Sequence, residues 1–236
     1  MVAAEQTQDA AQQVLRADLA KAKRVVLKVG SQVLCQADGQ VDEAVLGRLC
    51  ADIAMLMATG RQVVLVSSGA VAMGRGEVGQ APGAADRGGG SLGKQALAAV
   101  GQALLMSRYR SHLSQHQIHT AQLLLTHGDL GERSRFLHAR RVADELLGAG
   151  ILPVVNENDT VSVEELRFGD NDALAAQIAQ AVGAELLVLL TEVDGLYTAD
   201  PHVDPDAVLL RGVASRDDAA LALAGSGTST FGTGGM

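Results

Sequence analysis

Short apolar runs alternate with stretches of helical periodicity along most of this chain. Five runs rich in Val, Leu and Ile are typical of buried strands: 24–30, 62–67, 118–125, 151–155 and 186–190. Four stretches place apolar residues at helical spacing: 42–59, 94–115, 133–147 and 170–182. This alternation predicts an α/β fold with a parallel sheet of at least five strands and right-handed crossover connections.

Other segments are less regular. Residues 1–20 are polar and rich in Ala and Gln, and we interpret them as an N-terminal extension without a motif. Residues 74–93 contain eight glycines and one proline, which predicts a long surface loop and a candidate lid over a ligand. Residues 159–168 alternate weakly, as a hairpin does, an edge strand is predicted near Val208, and a helix is predicted at 217–224.

Composition and charge exclude several classes of protein. A chain of 236 residues that is 47% hydrophobic forms one large domain or two small ones, without needing disulfides or metal to stabilise its core. A net charge of -8 and the absence of a Lys/Arg-rich run argue against nucleic-acid binding. Cys35 and Cys50 form no CxxC pair and are predicted to stay reduced.

The sequence also argues against a membrane or secreted protein. No apolar run approaches the roughly 18 residues of a membrane helix. The first twenty residues contain Glu5, Asp9 and Asp18, where a secretory signal needs a basic start followed by an apolar stretch. We therefore expect a cytoplasmic protein with no membrane partner.

Several motifs match known sites without the context that those sites require. Gly74 to Gly79 fits the dinucleotide pattern GxGxxG, but a helical segment separates it from the preceding strand. Residues 88–94 resemble a phosphate-binding P-loop, but Gln95 follows where Ser or Thr ligates magnesium. A third candidate is a trio of histidines: His112, His116 and His119. A solvated helix face is the favoured interpretation of this trio over a zinc site. Gly89-Gly-Ser-Leu-Gly93 fits the Gly-x-Ser-x-Gly pattern of α/β-hydrolases, but no predicted strand directly precedes it, as the nucleophile elbow of those enzymes requires.

Four polar clusters remain, at the carboxyl ends of predicted strands or the start of a helix, where open α/β sheets bind ligands. They are Lys28 with Gly30, Ser67-Ser68-Gly69, residues 156–159 and residues 169–172. A lysine beside a glycine with an accessible N–H suits a phosphoryl group in transfer, although an ordinary strand-end lysine stays open. Ser68 either binds a carboxylate or phosphate, or only caps a helix. Asn171 and Asp172 could reach inward to orient a lysine and a substrate.

Eight motifs combine these clusters with their surroundings: Val26-Leu-Lys-Val-Gly-Ser31, Val66-Ser-Ser-Gly-Ala-Val71, Lys94-Gln-Ala-Leu-Ala-Ala-Val-Gly-Gln102, Arg135-Phe-Leu-His-Ala-Arg140, Asn156-Glu-Asn-Asp159, Phe168-Gly-Asp-Asn-Asp172, Gly195-Leu-Tyr-Thr-Ala-Asp-Pro201 and Gly232-Thr-Gly-Gly-Met236. Together they resemble the amino acid kinase family, from about residue 24 to residue 236, and specifically its members that phosphorylate L-glutamate for proline biosynthesis. The resemblance implies a three-layer αβα sandwich around a mostly parallel sheet. It implies ATP-dependent conversion of the γ-carboxylate of L-glutamate to L-glutamyl 5-phosphate.

The resemblance also implies roles for individual residues. Lys28 would neutralise the γ-phosphoryl group in transfer, and Asp172 would orient that lysine. Three residues would bind glutamate: Ser68, Asp159 and Asn171. The remaining residues would bind ATP: Gly30, Thr191, Glu192, Gly232, Thr233, Gly234, Gly235 and Met236, together with Lys28. The acceptor carboxylate is already an anion, so catalysis would need positioning and charge neutralisation with Mg²⁺ on the phosphates, and no general base; the magnesium ligands are not assigned.

The chain departs from the family pattern at three places. Ser31-Gln32 and Thr191-Glu192 stand where the family usually has Thr-Ser and Thr-Asp. After Met236 the family continues with Thr-Lys, whose lysine stabilises the leaving phosphates; the loss of one such donor lowers a rate by about two to three orders of magnitude. We therefore expect residues 21–236 to form a kinase domain that is incomplete at its C-terminus and has no PUA domain.

Partners and alternatives follow from the same comparison. The resemblance implies L-glutamate and ATP as substrates, proline as a candidate feedback inhibitor, and a homo-oligomer. Another member of the fold, such as acetylglutamate kinase or carbamate kinase, is the nearest alternative, and Asn156-Glu-Asn-Asp159 with Gly232-Thr-Gly-Gly-Met236 argues against it. A non-catalytic module that binds glutamate or nucleotide is the alternative from a different class.

Overall fold

A five-stranded, all-parallel sheet forms the centre of the computed structural model, which describes residues 17, 19–36, 38–80, 92–162 and 170–213. The strands are β1 (Arg24–Val29), β2 (Gln62–Ser67), β3 (Thr120–Leu125), β4 (Leu152–Glu157) and β5 (Leu186–Leu190). Their order across the sheet is β3-β4-β2-β1-β5. Because β4, β2 and β1 are consecutive in this order and run parallel, their carboxyl ends are neighbours at one edge of the sheet.

The helices that connect these strands are α1 (Ser31–Leu34), α2 (Glu43–Ala58), α3 (Ala70–Gln80), α4 (Lys94–Ser114), α5 (His127–Gly131), α6 (Arg133–Gly148) and α7 (Asp170–Ala181). Helix α2 begins after Asp42, whose side chain accepts hydrogen bonds from the N–H groups of Ala44 and Val45. No helix among the residues described here is both long and apolar enough to cross a membrane.

The sheet is covered on both faces. Alternate β1 residues Val25, Leu27 and Val29 pack in a core with helices α2, α3 and α4. Val26 and the residues beside it on β2 face a second core formed with α5, α6 and α7. Side chains on both faces of a strand are thus buried, which explains why the strands read as continuous apolar runs. The predicted three-layer αβα sandwich is confirmed.

The prediction of a loop over residues 74–93 is wrong at its start, because residues 74–80 belong to helix α3. Glycines permit this helix to lie very close to α4. A Cβ on Gly101 would lie 1.7 Å from the carbonyl oxygen of Ala70, and a Cβ on Gly74 would lie 2.0 Å from that of Leu97. The glycines therefore serve helix packing, and residues 81–91 lie outside the described residues.

Smaller differences concern irregular segments. The edge strand predicted near Val208 is wrong, since this region forms one isolated antiparallel bridge between Tyr197 and Leu209. Helices α1 and α5, of four and five residues, have too few residues to show periodicity. Residues 1–16, most of the hairpin predicted at 159–168, and the helix predicted at 217–224 lie outside the described residues.

Both cysteines are free, as predicted. Burial raises the pKa of Cys35 to about 11 and that of Cys50 to about 12. Both thiols are therefore protonated at neutral pH, and protonated thiols are poor nucleophiles.

Candidate active site

Polar side chains from three neighbouring strands and from helix α7 meet at the carboxyl edge of the sheet. Lys28 lies near the end of β1, Ser68 follows β2, and Asn156 lies near the end of β4. Asn171 and Asp172 occupy the first turn of α7. The sheet order, which places β4 next to β2, brings these residues together.

Lys28 and Asp172 form an ion pair. The distance between Lys28 Nζ and Asp172 Oδ1 is 2.6 Å. Lys28 is only 8% exposed, whereas 28% of the Asp172 side chain is exposed. A buried ammonium is held in one place by such a partner, and because an ammonium has three donors, this ion pair leaves two N–H groups of Lys28 without an acceptor among the described residues. The predicted orientation of Lys28 by Asp172 fits this geometry.

Asn171 connects the ends of β2 and β4. Its Nδ2 donates to Ser68 Oγ at 2.7 Å and to Asn156 Oδ1 at 3.0 Å. Its Oδ1 is buried and has no hydrogen-bond partner among the residues that the structure describes. A buried acceptor without a partner costs free energy. A ligand with an N–H donor, such as an ammonium, would satisfy this oxygen.

Asp159 lies beyond the end of β4 and pairs with a lysine at the start of α4. The distance between Asp159 Oδ1 and Lys94 Nζ is 3.3 Å, with side-chain exposures of 16% for Asp159 and 43% for Lys94. The loop that carries Asp159 is anchored, because the N–H of Asn158 donates to the carbonyl oxygen of Leu125 at 2.9 Å. Asp159 is thus a mostly covered carboxylate in an anchored loop, three residues beyond Asn156.

The buried hydroxyl groups of Ser67 and Tyr109 stabilise the backbone at Ser68. Ser67 Oγ donates to the carbonyl oxygen of Ser68 at 3.0 Å and lies 2.8 Å from the hydroxyl oxygen of Tyr109. Because Ser67 has one hydroxyl proton, Tyr109 is the donor in the second bond. Burial raises the pKa of Tyr109 above its usual value, so the phenol stays protonated. The N–H of Ser68 donates to the carbonyl oxygen of Val29 at 3.0 Å, which fixes the turn from both sides.

A second buried carboxylate, Glu157, lies beside the site. It is 5% exposed and accepts a hydrogen bond from Ser162 Oγ at 3.0 Å. His127 Nε2 lies 3.8 Å from its Oε2, and His127 Nδ1 lies 2.9 Å from Gln177 Oε1. These contacts join the ends of β3 and β4 to helix α7, which carries Asn171 and Asp172.

The residues predicted to bind ATP are described only in part. The N–H of Gly30 is not accessible, contrary to the prediction, because it donates to the carbonyl oxygen of Leu190 at 3.3 Å. A Cβ at Gly30 would lie 3.7 Å from Lys28 Nζ, so this glycine keeps space beside the lysine. Thr191 Oγ1 donates to the carbonyl oxygen of Val193 at 2.9 Å, and Glu192 is exposed. Gly232, Thr233, Gly234, Gly235 and Met236 lie outside the described residues.

Two of the motifs that the sequence analysis did not assign to a site lie in helices or in contacts between helices. Residues 74–79 lie inside α3 and do not follow a strand directly. They therefore lack the strand-to-helix turn that a dinucleotide-binding GxGxxG motif requires. His112 Nε2 lies 2.7 Å from Glu43 Oε2, in a contact between α4 and α2. Within the described parts of the chain, no group of three or more His, Cys, Asp or Glu side chains is placed to hold a metal ion.

Sequence reasoning gave no role to three residues of this site: Asn156, Lys94 and Tyr109. Asn156 and Lys94 belong to motifs that carried the resemblance, so a signal for them existed. Tyr109 had none, because a tyrosine at a helical core position is normally explained by packing alone. Its hydroxyl is relevant only because α4 lies against the turn after β2.

Comparison with known proteins places these residues in a wider context. The sequence pattern of the amino acid kinase family matches residues 23–236. The glutamate 5-kinase of Pelobacter propionicus is 49% identical over 219 residues, which are 92% of this chain and 57% of that protein. The corresponding enzyme of Geobacter sp. strain M21 is 51% identical over 219 residues, also 92% of this chain and 57% of that protein. The enzyme of Rhizobium etli is 45% identical over 224 residues, 94% of this chain and 56% of that protein. The chain thus spans a little over half the length of these curated relatives.

Proposed function

Because the chain belongs to the amino acid kinase family, we propose that it transfers the γ-phosphoryl group of ATP to the γ-carboxylate of L-glutamate. The observation that supports this best is the paired Lys28–Asp172 beside the Ser68–Asn171–Asn156 network at the carboxyl edge of the sheet. The names of the relatives, glutamate 5-kinase, support glutamate over other acceptors. Residues 21–236 are proposed to form this one kinase domain.

The proposed step needs no general base. An oxygen of the γ-carboxylate attacks the γ-phosphorus in line, the bond from that phosphorus to the β,γ-bridging oxygen breaks, and ADP leaves with the electron pair. Negative charge spreads over the transferring oxygens, so a fixed cation lowers the barrier. Among the described residues at this edge, Lys28 is a cation with a nearly buried side chain, and Asp172 holds it in position.

The glutamate would lie over the ends of β2 and β4. The buried Oδ1 of Asn171 has no hydrogen-bond partner among the described residues and would accept from the α-ammonium. Ser68 Oγ accepts from Asn171 and keeps its own proton for a substrate oxygen. Asp159 would add a negative charge for the same ammonium. Together these groups favour an α-amino acid over a simple carboxylic acid.

The nucleotide would lie on the other side of Lys28, toward β5. Sheet order supports this division, since β5 and β2 flank β1 on opposite sides. We propose that Thr191, Glu192, Gly30 and residues 232–236 border the nucleotide. Magnesium would arrive on the ATP phosphates, where it neutralises charge; Mg²⁺ needs few protein carboxylates when phosphates coordinate it.

Trapping of the product tests the proposal. Hydroxylamine converts the acyl phosphate to γ-glutamyl hydroxamate, so ATP-dependent hydroxamate from L-glutamate measures the first product directly. Product from this chain, abolished in Lys28→Met, is the expected result. The matched control is Lys23→Gln, which removes an exposed lysine near the amino end of β1.

The other outcomes separate the alternatives. Product only after extension of the chain by Ser-Thr-Lys would support the same reaction with a nucleotide site completed by that extension. Glutamate binding without product from either form would overturn the proposal in favour of a non-catalytic binding module. Higher activity with acetylglutamate or carbamate would identify another reaction of the same fold.

Two further proposals rest on the resemblance. We propose that proline inhibits the enzyme and that the chain forms a homo-oligomer. Titration of proline into the hydroxamate assay tests the first, and the molar mass measured by light scattering tests the second.

A further inference from the structure

The Lys94–Asp159 pair has an asymmetric environment that an ordinary surface ion pair lacks. The carboxylate of Asp159 is mostly covered, with 16% of its side chain exposed, whereas 43% of the Lys94 side chain is exposed. Asp159 belongs to the loop after β4, and Lys94 is the first residue of α4. The pair therefore joins α4 to the loop that follows β4, with its negative charge more covered than its positive charge.

We propose that Lys94 is a specificity-determining residue that binds the α-carboxylate of the amino acid substrate while Asp159 binds its α-ammonium. This inference rests on the proposed function, because it assumes that an α-amino acid occupies this edge of the sheet. It assigns to Lys94 a role in recognition and none in the chemical step.

The spacing of the two protein charges matches that of the substrate head. In an α-amino acid the ammonium nitrogen and the nearer carboxylate oxygen are separated by three bonds and lie roughly 3 Å apart. The distance between Lys94 Nζ and Asp159 Oδ1 is 3.3 Å. Two such dipoles placed antiparallel put opposite charges next to each other, so each charge that loses water gains a charged hydrogen-bond partner.

The location of the pair fits the remaining contacts. Asp159 is three residues beyond Asn156, whose Oδ1 accepts from Asn171 at 3.0 Å. The next residue, Asp172, contacts Lys28. In the proposed arrangement, the substrate lies between the Lys94–Asp159 pair and Lys28, with Asn156 and Asn171 along its length. A glutamate with its head at the first pair extends its γ-carboxylate toward the lysine at the other end.

The test exploits L-isoglutamine, in which an uncharged amide replaces the α-carboxylate while the γ-carboxylate is unchanged. Dissociation constants of L-glutamate and L-isoglutamine are measured by calorimetry for the 236-residue chain and for Lys94→Gln. We expect the unsubstituted chain to bind glutamate about 10- to 100-fold more tightly than isoglutamine, as for one charge-assisted hydrogen bond. In Lys94→Gln this ratio should fall to within about 3-fold of unity, because the ammonium that binds the α-carboxylate has been removed.

Two controls separate recognition from structure. Lys94→Arg keeps the positive charge and should retain most of the preference for glutamate. Lys23→Gln removes an exposed lysine near the opposite edge of the sheet and should leave the ratio unchanged. A merely structural role of Lys94 would weaken both ligands equally and preserve their ratio.

Each outcome decides a different point. An unchanged ratio in Lys94→Gln, with glutamate still bound, would overturn the inference and leave the proposed function intact. No binding of glutamate to the unsubstituted chain, with or without MgATP, would overturn the proposed function and the inference with it.

Discussion

The two ends of β1 each carry a cation, and the two cations have different surroundings. At the amino end, Arg24 Nη1 lies 2.8 Å from Asp144 Oδ1 and also donates to the carbonyl oxygen of Val182, while Arg24 Nε donates to Gln62 Oε1 at 2.9 Å. At the carboxyl end, the described part of the chain gives Lys28 one ion pair, with Asp172 at 2.6 Å.

This difference distinguishes a structural cation from a functional one. The guanidinium of Arg24 has acceptors on three elements, so it joins them and has little left to offer a ligand. The ammonium of Lys28 is fixed by one carboxylate and keeps donors for an incoming anion. Burial alone does not separate the two roles, whereas the number of protein acceptors around each cation does.

The largest effect is expected at the carboxyl end. Lys28→Met should lower the rate of hydroxamate formation about 1,000-fold, because the methionine fills the space but removes the cation that neutralises the transferring phosphoryl group. The free energy of unfolding in urea should fall by about 1 to 3 kcal/mol, because the Asp172 side chain is 28% exposed but its buried Oδ1 loses its cationic partner; the rates are therefore compared under conditions where the variant is folded. A Lys28→Met variant with more than a tenth of the original rate would contradict the role proposed for this lysine.

At the amino end we expect a loss of stability without a loss of glutamate binding. Arg24→Met should lower the free energy of unfolding by about 2 kcal/mol, because Gln62 and the carbonyl oxygen of Val182 lose a partly buried donor. Glutamate binding, measured by calorimetry at a temperature where the variant is folded, should be unchanged. A loss of affinity without a loss of stability would show that the comparison of the two ends is wrong.

An intermediate effect should follow from Asn171, which bridges Ser68 and Asn156. Asn171→Ala removes both of these bonds and the buried acceptor proposed for the substrate ammonium. We expect the KM for glutamate to rise about 10- to 50-fold, with a smaller change in the KM for ATP. Equal increases in both KM values would indicate a general distortion of the site instead of a lost contact with glutamate.

The smallest effect concerns a carboxylate at the carboxyl edge that the protein already satisfies. Asp129 accepts from the N–H and hydroxyl of Thr126 and pairs with Arg135, and these contacts, the Thr126 N–H first, hold its pKa below the usual value of 3.8. A lowered pKa stabilises the fold above pH 3.8, and this contribution is lost as the pH falls through the lower pKa of the folded state. Asp129→Asn should therefore cost at most about 1 kcal/mol near pH 7.

Urea unfolding at several pH values checks this prediction. The difference in stability between the unsubstituted chain and Asp129→Asn should shrink toward zero as the pH falls below about 4. A difference that is constant with pH would mean that the charge of Asp129 does not contribute. Glutamate affinity should stay the same, because Asp129 is not among the residues proposed to bind glutamate.

Much of the fold was predictable because the strands are apolar along their whole length, and the central strands β1, β2 and β4 are buried on both faces. Strand β5 has the bounds that its apolar run predicts, 186–190, and α2, α4, α6 and α7 agree with their helical periodicity to within a residue or two. Prediction failed at 74–80, where glycine usually indicates a loop. The helix forms there because its glycines allow close contact with α4, a reason that lies in a distant segment of the chain.

The candidate site was predictable to a similar degree. Lys28, Ser68, Asn171 and Asp172 come together at the predicted edge, because they lie near the end of a strand, directly after a strand, or in the first turn of a helix. The accessible N–H predicted for Gly30 is not present, since β5 lies beside β1 and its Leu190 accepts that hydrogen bond. Strand neighbours depend on contacts far apart in sequence, so local patterns could not reveal this partner.

The sequence by itself determined the layers of the protein and the edge that carries its polar residues, because strand and helix periods and the positions of polar residues after strands are local properties of the chain. Only the tertiary structure decided which polar atoms meet. The order β3-β4-β2-β1-β5 places Asn156 within reach of Asn171, and the packing of α4 brings Tyr109 to Ser67. Such pairings depend on where whole strands and helices lie relative to each other, and that arrangement is fixed by burial of apolar surface over the entire fold.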